Sequence, residues 1–121
     1  MSCRIEYAVR NGMLRAVVSG KTRADEASWI ARSIAEHAGE ETVSRVLIDV
    51  RRLRDRVGSL GALAMAECEP GAVSGYRVAV IDETRHDRYY ALHEAVARDR
   101  GYALRRFSDA AAATDWLLAP A

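Results

Sequence analysis

The sequence predicts a single α/β domain whose mixed, mostly parallel sheet is opened by a β-hairpin, in the order β-β-α-β-α-β-α-β-α. Three observations carry this reading. Asn11-Gly12 stands between two β-prone runs, and that dipeptide tolerates the positive φ values of a tight type I′ turn. Val46-Leu47-Ile48 and Val78-Ala79-Val80-Ile81 are unbroken apolar runs of the kind found in central strands covered on both faces. Stretches with helical periodicity separate them, as expected where crossovers join parallel strands. At 121 residues the chain has room for one hydrophobic core, so residues 1–121 read as one domain.

The elements follow in order. Cys3 to Val9 and Met13 to Ser19 form the hairpin, and Gly20 breaks its second strand. Thr22 is placed to cap a helix running through Ala38, with Ala27, Ile30, Ala31, Ile34 and Ala38 at helical spacing and Gly39 as its stop. Val43 to Val50 is the central strand, followed by a polar, turn-like stretch from Arg51 to Arg56. Leu60, Leu63 and Ala64 suggest a short helix closed by Glu69-Pro70-Gly71. Tyr76 to Asp82 is a further buried strand, and Asp87 to Arg100 a helix with a stripe of Tyr89, Leu92 and Val96 ending at Gly101. Tyr102 to Phe107 supplies the last strand. Ser108 is expected to cap a closing helix whose inward stripe is Ala112, Ala113, Trp116 and Leu117. Ligands of such sheets approach the carboxyl ends of the strands, here the loops at Gly20, Arg51 to Ser59 and Asp82 to Asp87.

Composition narrows the function classes. Eighteen basic and seventeen acidic residues leave a formal charge of +1, so no global field draws the chain to nucleic acid or to anionic lipid. Every basic residue except Lys21 is arginine, which fits GC-rich coding as readily as bidentate anion recognition. Cys3 and Cys68 lie far apart without a C-x-x-C motif, which argues against a disulfide framework or a zinc site. Met-Ser-Cys-Arg leads straight into strand-like sequence without the pattern of a secretory signal, and no apolar run reaches membrane-spanning length; the expectation is a cytoplasmic protein.

The segment Val46-Leu47-Ile48-Asp49-Val50 through Leu53-Arg54-Asp55-Arg56-Val57-Gly58-Ser59-Leu60-Gly61-Ala62-Leu63 resembles the central motif of STAS domains, the fold of bacterial anti-sigma-factor antagonists. In that motif a buried strand ends in Asp, and an Asp-Ser-Ser-Gly-like turn opens a helix. The distal half resembles the divergent STAS branch related to the CRAL-TRIO lipid carriers: Tyr76 to Ile81, Arg100-Gly101-Tyr102, Phe107-Ser108-Asp109 and Ala113 to Leu117. The resemblance covers most of the chain and rests on the order and spacing of short motifs. It departs from the family where the regulatory chemistry sits. Aligned without a gap, Asp55 and Gly58 fall on the family's Asp and Gly, while Arg56 and Val57 replace the two serines. Neither accepts phosphate, and Ser59 takes over that role only if the loop is shifted.

Arg51, Arg52, Arg54 and Arg56 can grip a phosphate or carboxylate between paired guanidiniums, but Asp49 and Asp55 interleave, and local ion pairs in a solvated run are the commoner outcome. His86, Tyr90 and His93 fall on one helical face near Asp82, Glu83 and Asp87; the two histidines lie two turns apart, about 10 Å, too far to share one zinc, so a half-exposed aromatic face is expected. Gly58-Ser59-Leu60-Gly61 lacks nucleophile-elbow spacing, and no phosphate-binding glycine loop occurs. Trp29 lies nearly opposite the Ala27, Ala31, Ile34, Ala38 stripe, where it can anchor a partner. The competing rotation turns Trp29, Ile30, Ser33 and Ile34 inward at the core margin, and that rotation is preferred.

These readings favour a non-catalytic, STAS-like regulatory or protein-interaction domain without the usual phosphoserine. The surface implied is the Arg51 to Ser59 loop with adjoining helices, and Trp29 is the candidate anchor. The alternative is a small apolar-ligand or lipid carrier of the CRAL-TRIO type. The expected partners are a protein, a homodimer mate or a small apolar ligand, with no nucleic acid and no cofactor.

Overall fold

Asn11 and Gly12 both hold positive φ, 56° and 71°, as a type I′ turn requires. They join β1 (Cys3–Arg10) to β2 (Met13–Gly20) in an antiparallel register that runs from Arg10↔Met13 to Cys3↔Gly20. The computed structural model describes residues 3–21, 27–54, 74–83 and 87–120. β3 (Arg45–Leu53), β4 (Arg77–Ile81) and β5 (Ala103–Phe107) add in parallel, giving a five-stranded sheet in the order β1-β2-β3-β4-β5. Helix α1 (Ala27–Glu40) lies between β2 and β3, α2 (Asp87–Arg100) between β4 and β5, and α3 (Ala110–Leu118) follows β5. The hairpin and the mostly parallel sheet are as the sequence predicts. The Thr22 cap, the helix at Leu60 to Ala64 with its Glu69-Pro70-Gly71 stop, Cys68 and His86 lie outside the described residues.

Strand alternation sends side chains to two faces, and each face has its own core. On one, Leu14, Ala16, Val18, Val46, Val78, Val80 and Leu104 pack against Ile34 and Ala38 of α1 and Tyr90 and Ala97 of α2. On the other, Met13, Leu47, Ala79 and Ile81 pack against Ala113 and Leu117 of α3, with Phe107 and Trp116 at the margin. The unbroken apolar runs of β3 and β4 have this cause: each strand needs apolar residues on both sides.

Two helices end by the same device. The Val43 N–H donates to the Ala38 carbonyl at 3.0 Å and the Thr42 N–H to Gly39 at 3.2 Å; the Tyr102 N–H donates to Ala97 at 3.1 Å and the Gly101 N–H to Arg98 at 3.3 Å. These are Schellman closures, whose pivot residue takes a left-handed conformation. The pivots are Thr42, with φ 58°, and Gly101, with φ 84°. The expected stop at Gly39 is therefore displaced: Gly39 lies inside the last turn of α1, and the β-branched Thr42 makes the turn.

Four further expectations are corrected. α3 is capped by Asp109, whose Oδ1 accepts the Ala112 N–H at 2.8 Å, while Ser108 Oγ accepts from Arg106 at 3.1 Å. Ala112 is exposed, leaving Ala113 and Leu117 as the buried pair. α2 is turned away from the stripe read in the sequence: Leu92 is exposed and Tyr90, His93 and Ala97 face inward, because the Tyr90 hydroxyl donates to Asp82 Oδ2 at 2.8 Å and the small Ala97 lets the helix close onto β5. Finally, the polar turn expected from Arg51 begins later. Arg52 and Leu53 pair with Ser19 and Gly20, and the Arg54 N–H donates to the Gly20 carbonyl at 2.9 Å, so β3 extends to Leu53.

Candidate functional site

β3 carries an extra residue where it pairs with β2. Val17 is opposite Asp49 and Ser19 opposite Arg52, so β2 advances by two residues while β3 advances by three. Such a bulge breaks the two-residue alternation. Val50 and Leu53 can then both pack into the core under α1, and Arg51 and Arg52 both turn to the opposite face. With regular pairing one arginine would have been driven inward; the bulge spares the core that cost.

On this face α3 covers β3, β4 and β5 together with Met13 at the start of β2, and among the described residues no helix packs over the rest of β1 and β2 or the end of β3. A hollow of about 600 Å³ lies there, lined by Glu6, Ala8, Arg15, Val17, Asp49, Arg51 and Arg52, with part of Tyr7. Its floor is an ion pair. Arg51 Nε donates to Asp49 Oδ1 at 3.0 Å, its Nη2 to Oδ2 at 2.8 Å, and its backbone N–H to Oδ1 at 3.1 Å. Asp49 is only 5% exposed, which by itself raises a carboxyl pKa; the hydrogen bonds from Arg51 and the charges of Arg51 and Arg15 outweigh burial and hold it below the usual range. The same pair raises the Arg51 guanidinium. At the outer rim Arg4 pairs with Glu6 at 3.3 Å, both well exposed.

The sequence-predicted site residues separate into groups. Arg51 and Arg52 come together in the hollow, on a strand instead of a loop. Arg54 is exposed at the strand end, and Arg56 and Ser59 lie outside the described residues. Trp29 is half-buried on α1, as are Ile30 and Ser33, which matches the core-margin rotation. Glu6, Ala8, Arg15 and Val17 escaped the sequence reading. Their signal was present: in both hairpin strands the apolar positions Ile5, Tyr7, Leu14, Ala16 and Val18 alternate with an opposite set that is mostly polar.

A second polar cluster joins β4 to α2. Asp82 is 1% exposed; its Oδ2 accepts from Tyr90, its Oδ1 accepts the Glu83 N–H at 2.8 Å, and its carbonyl accepts from Arg106 at 3.1 Å. His93 packs edge-on to Tyr90 with ring centroids 5.6 Å apart, and burial lowers its pKa to about 4. The half-exposed histidine face expected on this helix is thus corrected: Tyr90 and His93 are buried and help to lock α2 to the sheet. Among the described residues no three His, Cys, Asp or Glu side chains are grouped to hold a metal ion, and no helix is long and apolar enough to cross a membrane.

No protein-family model and no curated protein matches the chain. Its fold does have counterparts among solved structures. An anti-sigma factor antagonist from Mycobacterium paratuberculosis matches 96% of this chain and 94% of its own, with a TM-score of 0.62 and 17% identity. An uncharacterized protein with a SpoIIAA-like fold from Shewanella loihica PV-4 matches 96% and 93%, with a TM-score of 0.55 and 18% identity. The chain therefore has the SpoIIAA-like fold of anti-sigma-factor antagonists, and the STAS resemblance read from its sequence holds at the level of architecture.

Proposed function

We propose that the chain is a STAS-like regulatory domain that works by binding a protein partner, without catalysis and without the serine phosphorylation that its motif resemblance would otherwise imply. The shared fold with an anti-sigma factor antagonist carries this reading. Arg56 and Val57 at the positions of the family's serines support the loss of the switch. The buried polar groups support a binding role: Asp49, Asp82 and His93 are each committed to contacts within the fold. The hollow on the sheet is lined by four charged residues besides Arg51, a lining that suits a polar partner and disfavours the acyl chain of the lipid-carrier alternative.

Native mass spectrometry of the protein purified from its own cells tests the proposal. The expected result is a stoichiometric protein adduct that is re-formed from purified components and binds Ser59→Ala as tightly as the original chain. A reproducible copurified lipid at one per chain, or stoichiometric phosphate on Ser59, overturns it.

A further inference from the structure

The carboxylates of the hollow are already engaged, Glu6 by Arg4 and Asp49 by Arg51. Arg15 and Arg52 have no ion pair or side-chain hydrogen bond among the described residues, and both line the same hollow. We infer that this open half of the sheet binds an extended segment of a protein partner that carries two carboxylates four residues apart. The inference rests on the regulatory reading only in taking the partner to be a protein.

The spacing follows from the register. Arg52 is opposite Ser19, which lies four residues beyond Arg15 on β2, so the two arginines are rooted about 13 Å apart along the strand direction at ~3.3 Å per residue. Positions i and i+4 of an extended chain have the same separation, and their side chains share one face. Between the two arginines lies the half-buried Val17, directly opposite Glu6 on β1 and Asp49 on β3, whose carboxylates are taken up by Arg4 and Arg51, with Ala8 diagonal to it on β1. An apolar residue at i+2 would rest there. Acidic–apolar–acidic on alternate positions is therefore the complement of Arg15, Val17 and Arg52. Two guanidiniums rooted this far apart, with a valine between them, suit two carboxylates on one chain better than a single small anion. The bulge in β3 is essential, because it brings Arg52 to this face.

The test is an amide-resolved NMR titration of the full chain with the blocked peptide Ser-Glu-Thr-Val-Thr-Glu-Ser. Its controls are the same peptide with both Glu replaced by Gln, and inorganic phosphate. The Glu peptide should shift the amides of Ala8, Arg15, Val17 and Arg52, and should weaken as salt is raised. Exposed pairs contribute little each, so Arg15→Gln with Arg52→Gln should weaken binding by about five-fold, with the amide spectrum of the unbound protein otherwise preserved. Equal binding of the Glu and Gln peptides, shifts confined to another face, or saturation by phosphate at lower concentration than by peptide overturns the inference. A natural protein partner that binds the double variant as tightly as the original chain overturns this surface and leaves the regulatory reading standing. If no protein partner exists, the regulatory reading fails while the peptide titration still decides whether the face recognises paired carboxylates.

Discussion

Arg77, at the start of β4, closes the end of α3: its guanidinium lies 5.7 Å from the Trp116 ring centroid and its Nη1 donates to the Trp116 carbonyl at 2.9 Å. The same nitrogen donates to the Ala119 carbonyl at 2.6 Å, and Nη2 reaches the Pro120 carbonyl at 3.4 Å. α3 has no basic residue in its own last turn, so the cation that its C-terminal carbonyls favour comes from the sheet. Arg77→Ala should lower the unfolding free energy by about 1–3 kcal/mol. In a Trp29→Phe background it should also red-shift the Trp116 emission. Arg77→Lys should recover only part of the loss, since lysine lacks the second nitrogen that reaches Pro120 and the planar guanidinium beside Trp116; full recovery by lysine would show that charge alone suffices.

The two Schellman closures allow an internal comparison. A β-branched residue in the left-handed region is strained, and glycine there is not. Thr42→Gly should raise stability by about 0.5–1 kcal/mol, the strain relieved less the greater freedom of glycine in the unfolded chain. Gly101→Thr should lower it by more than 1 kcal/mol, about the left-handed penalty. A Cβ at Gly101 meets only Ser74 Oγ at 3.5 Å, so backbone conformation and not space sets that loss. Urea denaturation of the two variants gives the comparison, and a destabilised Thr42→Gly would mean that the threonine side chain holds the turn.

Features set by local chemistry were legible in the sequence, and features set by packing were not. Asn11-Gly12 dictates its turn whatever surrounds it, and the runs around Leu47 and Ala79 require cover on both faces. The rotation of α2 was hidden, because it depends on a hydroxyl of Tyr90 reaching Asp82 and on how closely Ala97 approaches β5. The arginines after Asp49 were recognised as a cluster, yet read as a loop. Only the pairing with Ser19 and Gly20 reveals the bulge, and pairing is a property of two segments at once. Arg15 was missed for the same reason: nothing near it in sequence says that β3 will place Asp49 and Arg52 beside it.

The Asp49 carboxyl should titrate higher when the Arg51 side chain is removed. In the original chain it titrates below the ordinary aspartate value, because Arg51 and Arg15 overcome burial. In Arg51→Ala the two guanidinium hydrogen bonds and the guanidinium charge go while the backbone N–H bond stays, so carbon-detected NMR should find the carboxyl titrating higher than in the original chain. Because the folded carboxyl is lowered in the original chain, the pair contributes stability above the unfolded aspartate pKa and loses it as pH falls through the folded one. That acid-linked loss should be smaller in the variant. A carboxyl that titrates unchanged in Arg51→Ala would assign the effect to the Arg51 backbone N–H and Arg15.

His93 makes the fold acid-sensitive in a separate window. Its imidazole is neutral when folded, with a pKa of about 4 against 6.5 for the free side chain, so the unfolded chain binds the extra proton first. Stability is fully present above pH 6.5 and declines as pH falls toward 4, by about 3 kcal/mol in total. The difference in unfolding free energy between the original chain and His93→Gln should change by that amount across the window. A constant difference would mean that His93 accepts a proton without leaving the core.

The strands of this sheet are laid down one after another in a single direction, and the two described connecting helices, α1 and α2, pack on one side of it, as right-handed crossovers between parallel neighbours place them. Among the described elements, the helix after the last strand shields the reverse. Here that is nine residues of α3, about 14 Å of helix, against outer strands about 19 Å apart. Among the described residues, the flank that α3 does not reach is thus a product of winding order more than of composition. Side chains on it, such as Glu6, Arg15 and Arg52, belong to neither core, so substitutions there change the surface chemistry at little cost in folding. One face of the sheet is in that sense divided along its width, a core under α3 on one part and charged side chains on the other.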